Sequence, residues 1–155
     1  MGRRHLSRAA AYAALVALVL AAPAAASLRW QVASRGVAHG FTGEQVGYVA
    51  VVRSAAKSFT AKIDPTGVAA LDKVDFSRLA VVAVFGPYGC ADSRIDVTSV
   101  AQHDSTLAVT LVEHEPKPGS VQCMAIFETY RLLEVSKAGL QKPYPTRVQV
   151  TLART

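Results

Sequence analysis

LAVVAVF at Leu79–Phe85 and TLAVTLVEHE at Thr106–Glu115 are two different kinds of strand. The first is continuously apolar and too short for a stable helix, the pattern of a central strand buried on both faces. The second alternates, with Leu107, Val109 and Leu111 on one face and Thr110 on the other. Between them, Gly86-Pro87-Tyr88-Gly89 predicts a turn. Arg94–Gln102 then sets Ile95 and Val97 two apart, with Asp96 and Thr98 on the opposite face. His103-Asp104-Ser105 is a short polar connection, so Arg94–Gln102 and Thr106–Glu115 predict a hairpin.

Outward from this pair, strand patterns continue in both directions. Leu28–Arg35 and Val46–Arg53 are candidate strands separated by the Gly-punctuated loop Gly36–Gly43. Ser54 stands as a helix N-cap before AAKSFTAK, which predicts one short helix. That helix ends by Asp64-Pro65, because a residue before proline avoids helical backbone, and Thr66–Asp75 is left as a mixed connector. On the other side, Pro116-Lys117-Pro118-Gly119 ends the hairpin, and Val121–Val135 is long enough for a strand bent near Thr129. Thr146–Leu152 alternates strictly and is set apart by Pro143 and Pro145. About seven strands, one short helix, no repeat and no second domain predict a mainly β fold, a sandwich or partly open barrel.

The apolar excess lies elsewhere. Of 155 residues 51% are hydrophobic and 18% charged, which excludes a disordered polymer, but the mean hydropathy of +0.25 owes much to the N-terminus. Arg3, Arg4 and Arg8 precede the uncharged run Ala9–Ala22, Pro23 breaks it, and Ala24-Ala25-Ala26 supplies small residues. This is the pattern of a secretory signal peptide over 1–26. The alternative, a retained anchor, is disfavoured by length: 14 residues rise only ~21 Å as a helix, against a hydrocarbon core of about 30 Å. Arg3-Arg4 is a partial twin-arginine signal. Cleavage after Ala26 leaves 129 of the 155 residues, the single domain 27–155. It also removes three arginines and no acid, so the net charge drops from +6 to +3. A charge of +3 without runs gives no nucleic-acid footprint. The expected compartment is secreted or periplasmic, with no stable membrane insertion after cleavage.

Export bears on Cys90 and Cys123. Two cysteines are too few for a disulfide scaffold or a thiolate zinc site, but an even count outside the cytoplasm favours a single disulfide. It would close a loop of 34 residues, worth roughly 3.8 kcal/mol in the chain-entropy model. Two free thiols are the alternative.

The sequence assembles no catalytic set. Ser54-Ala55-Ala56-Lys57 matches the S-x-x-K pattern of serine acyl-enzymes, but Ser-Asp-Asn and Lys-Thr-Gly are absent. His39, His103 and His114 are isolated, and Glu113 and Glu115 would point away from His114 on a strand. The acid pairs Asp72/Asp75 and Asp92/Asp96 read as solvated connectors. No metal, cofactor or phosphate-binding loop is expected. Two loops remain as display elements. Pro87-Tyr88-Gly89 holds an aromatic on a turn beside Cys90, and Glu115-Pro116-Lys117-Pro118-Gly119 is stiffened by two prolines. Tyr88, Pro87, Lys117, Pro118 and Gly119 are therefore the candidate binding residues; for both loops the simpler reading is ordinary hairpin chemistry.

Several of these motifs occur in an order that resembles the C-terminal domain of the PrcB family, a family associated with protease complexes. Val74-Asp75-Phe76-Ser77 precedes the apolar strand, and Gly86 follows it. Then come a hairpin, Glu115-Pro116-Lys117-Pro118-Gly119, Thr129-Tyr130, and Leu132, Leu133 and Val135. The likeness covers Val74–Leu152. It departs where Ser93-Arg94 replaces an expected Gly-Tyr and where no proline separates Thr129 from Tyr130. The resemblance implies an exported, non-catalytic β domain that supports an extracytoplasmic protease complex, and implies no catalytic residues. The expected function is a protein-interaction module whose partner is another exported protein, a protease in the family's pattern. The alternatives are a secreted protease inhibitor, offering Lys117 or Tyr88, and a small hydrolase or ligand-binding protein.

Overall fold

The computed structural model describes residues 27–40, 45–89, 94–114 and 127–154. Its centre is a seven-stranded sheet: β1 (Trp30–Val37), β2 (Val46–Ala50), β3 (Leu79–Gly89), β4 (Arg94–His103), β5 (Thr106–His114), β6 (Phe127–Ser136) and β7 (Arg147–Arg154). The spatial order is β1-β6-β3-β2-β7-β5-β4. All neighbours run antiparallel except β5 and β7, which are parallel. The fold is mainly β, and the sheet curls into a half-barrel, in keeping with the strand patterns.

Leu79–Phe85 lies in β3, an interior strand flanked by β6 and β2. Ala80 through Phe85 are completely buried, because both faces of β3 are covered. On the concave side, Val82 and Val84 meet Leu133 and Val135 of β6 and Leu107, Val109 and Leu111 of β5. On the convex side, Val81, Ala83 and Phe85 meet Phe59, Ile63, Leu71, Tyr130 and Leu132. Burying a side chain the size of Val or Phe stabilises by about 1.5–3 kcal/mol, so this double burial contributes heavily to the fold. The β4–β5 hairpin is present, and Asp104 takes φ +51 at its tip, a left-handed conformation that Asp tolerates.

Three expectations fail locally. Ser54 caps no helix: it lies inside a 3-10 turn, Arg53–Ala56, whose N-cap position is Val52, and the α-helix that follows is only Lys57–Thr60 (α1). The segment read as a connector instead forms the longer helix α2, Pro65–Asp72. Asp64 is its N-cap, accepting from Gly67 N at 2.8 Å, and Pro65 fills the first turn, where its missing N–H costs nothing. Gly86-Pro87-Tyr88-Gly89 is no turn. β3 runs through it, with the extra residue of a β-bulge between Phe85 and Tyr88 and Gly86 at φ +87.

The far end of α2 is tied by Arg53, whose guanidinium donates to the carbonyls of Asp72 at 3.1 Å and Val74 at 3.0 Å and lies 5.1 Å from the Phe76 ring centre. Among the described residues, no helix is long and apolar enough to cross a membrane.

Candidate functional site

β1 and β4 end the strand order, yet the curl of the sheet brings them face to face. At one end they are joined: Ser27 bridges Ala101, and Leu28 N donates to Val100 O at 3.1 Å. Away from that bridge the seam opens into a cleft of about 690 Å³ between 32–35 of β1 and 95–98 of β4, with Arg131 of β6 behind it.

The ladders give a physical reason for the opening. β1 carries an extra residue at Ala33, between the pairs Val32–Leu133 and Ser34–Leu132. β4 carries one at Thr98, between Val97–Leu111 and Ser99–Thr110. A bulge breaks the regular spacing of edge N–H and C=O groups and twists the edge away. Two bulges facing each other prevent the seam from closing as a ladder. Val32, which β1 pairs with the concave-side Leu133, is left 47% exposed.

Arg131 is the buried charge of this cleft. On β6, Tyr130 and Leu132 point to the helices, so alternation sends Arg131 to the concave side with Leu133 and Val135. It is only 7% exposed. Its Nε donates to Ile95 O at 3.1 Å, spanning the seam, and its Nη1 donates to Thr129 Oγ1 at 3.2 Å. No carboxylate among the described residues lies within ion-pairing distance of it. Its cross-strand partner is Arg35. Like charges directly opposite each other destabilise a sheet, and a buried unpaired charge costs several kcal/mol. Burial first, and Arg35 second, pull the Arg131 pKa down to about 10, while Asp96 acts the other way. Asp96 is the acid on the cleft wall, but its Oδ2 is already held by Arg94 Nε at 2.9 Å and His114 Nε2 at 3.1 Å. The cleft thus offers apolar Val32, Ile95 and Val97, the buried Arg131 at its back and the exposed Arg35 on its β1 wall.

On the opposite face of β6, Tyr130 is completely buried and donates to Asp64 Oδ1 at 2.7 Å, with Ser34 Oγ at 3.4 Å. Burial pushes the Tyr130 hydroxyl up to about 12, reinforced by the Asp64 carboxylate. Burial also works to raise the Asp64 pKa, but hydrogen bonds from Gly67 N, Tyr130 and the amides of Val37 and Thr66 outweigh it and hold the carboxyl below 3.8. Gly67 allows this approach: a Cβ there would overlap the Tyr130 hydroxyl.

The residues singled out from the sequence lie elsewhere. Cys90, Cys123, Lys117, Pro118, Gly119 and Asp92 fall outside the described residues, as does 1–26. Of Pro87 and Tyr88 only the backbone, within β3, is described. Ser54 and Lys57 are exposed and do not hydrogen-bond each other. His114 pairs with Asp96. Asp72 pairs with Arg53 at 3.5 Å, and Asp75 accepts from the amide and hydroxyl of Ser77. Among the described residues no three His, Cys, Asp or Glu side chains gather as a metal site would require. Sequence reasoning missed Arg35 and Arg131. The available signal was an arginine at an inward position of an otherwise apolar run, Tyr130-Arg131-Leu132-Leu133.

No family model matches the chain, and neither a curated protein nor a solved structure matches it. The likeness to the PrcB C-terminal domain therefore rests on its motifs alone.

Proposed function

We propose that this protein is an exported, non-catalytic interaction module that receives a segment of another exported protein in the cleft between β1 and β4. One observation supports this above the others: the seam is joined at Ser27–Ala101 and held apart by two facing bulges, Ala33 and Thr98. Bulged edges make poor templates for adding a strand, so recognition would come from side chains lining the cleft. In the PrcB-like reading the partner belongs to an extracytoplasmic protease complex. The same reading joins Cys90 and Cys123 in a disulfide.

A photo-crosslinking residue placed at Val32 or Thr98, in the protein exported by its own host, tests the cleft. The expected result is one discrete adduct from both positions and none from Lys142, an exposed residue outside the cleft wall. Adducts equal at all three positions, or none from the cleft, would remove the proposal. The same preparation tests export and oxidation together: the mature chain should begin at Ser27 and weigh roughly 2 Da less than its dithiol form, the two hydrogens lost on forming the S–S bond.

A further inference from the structure

We infer that this cleft holds a carboxylate-binding subsite between the buried Arg131 at its back and the exposed Arg35 on its β1 wall, and that the segment it receives is anchored by a carboxylate. The inference rests on the cleft being the binding region and adds the chemistry of what binds there.

Three features point to an anion. Arg131 is more than nine-tenths buried, lines the cleft, and has two of its three nitrogens committed, Nε to Ile95 O and Nη1 to Thr129 Oγ1. Nη2 makes no hydrogen bond to a described residue. Arg35 stands opposite it across the β1–β6 ladder, also without an ion pair among the described residues. The one acid on the wall, Asp96, is spent on Arg94 and His114. The two arginines, paired across the ladder, repel, and an anion between them removes that repulsion and gains charge-assisted hydrogen bonds. A guanidinium fork fits the planar carboxylate in a bidentate manner. The remaining walls, Val32, Ile95 and Val97 with Thr98 at the rim, suit a short stretch of polypeptide that ends in or carries such a group. The carboxylate comes from either a chain terminus or an acidic side chain.

Two measurements decide it. In the ligand-free protein, Arg35→Gln should raise Tm by about 1–4 °C, because a like-charged cross-strand pair is relieved; a fall in Tm would contradict the inference. The second follows the Arg131 Nε–Hε NMR signal during titration with three probes. These are acetyl-Ala-Val-Ala with a free C-terminus, the same peptide as its amide, and acetyl-Ala-Glu-Ala amide. A shift with the first alone assigns a terminal carboxylate, and a shift with the third assigns an acidic side chain. The uncharged amide should leave the signal unmoved, and Arg35→Gln should weaken binding at least ~10-fold, as loss of a charged hydrogen bond implies. No shift with either acid, or an equal shift with the uncharged amide, overturns the subsite. If Arg35→Gln still captures the cleft partner undiminished, the subsite is wrong while the cleft stands. If nothing is captured at Val32 or Thr98 but the acid probes bind, the subsite stands and the protein-docking reading falls.

Discussion

Tyr130 and Arg131 are neighbours in β6 and both buried, but one is settled and the other is not. Tyr130 faces the helices, where its hydroxyl is held by Asp64 and approached by Ser34. Asp64 is in turn held by the start of α2. The site is closed, and its polar groups bond to one another. Arg131 faces the concave side, where its partners are a carbonyl, a threonine hydroxyl and an opposing arginine. A buried polar group that is satisfied specifies a fold; one that lacks its counter-charge costs stability. The same strand thus carries a structural joint on one face and, on the other, a buried guanidinium with no ion pair among the described residues.

Replacing Tyr130 with Ala should do the most damage. It removes a completely buried ring packed against Phe85 and empties the helix-side joint, costing about 3–5 kcal/mol in denaturant unfolding. A loss under about 1 kcal/mol would mean that the joint contributes little. The hydroxyl alone is the next test: Tyr130→Phe should cost about 1–3 kcal/mol, since Asp64 loses a donor in a partly buried position.

The two groups of the joint also predict how stability depends on pH. Asp64 has a folded pKa below 3.8, so its contribution is present above that value and is lost as pH falls through the folded one. Tyr130 has a folded pKa raised from 10 to about 12, so its contribution is present below pH 10 and is lost as pH rises towards 12. Asp64→Asn should flatten the acid limb and Tyr130→Phe the alkaline limb. Unfolding curves unchanged in shape would detach these groups from the joint. The smallest effect belongs to the other face, where Arg35→Gln should move Tm upward by only a few degrees. Opposite signs on the two faces of the β1–β6 pair are the sharpest form of the contrast.

How much of the fold and cleft is legible in the sequence depends on the range of the interaction. The β3 run and the β4–β5 hairpin can be read because their patterns are local: continuous burial in one, period-two alternation in the other. α2 escapes such a reading although its start is written in Asp64-Pro65. The same dipeptide that ends one helix can begin another, with Asp as cap and Pro in the first turn. The strand through Gly86–Gly89 escapes it because a bulge uses turn residues without reversing the chain. The parallel contact of β5 with β7 and the approach of β1 to β4 join segments far apart in sequence, so no local pattern carries them. The cleft depends on that second contact, and with it the meaning of Arg35 and Arg131.

Amide hydrogen exchange on the protein with and without the partner captured through Val32 or Thr98 tests the central claim most directly. A segment seated between β1 and β4 predicts new protection at 31–35 and 95–99, with α1, α2 and β7 unchanged. Protection confined to the helices or to β7, with the β1 and β4 edges exchanging as before, would contradict it.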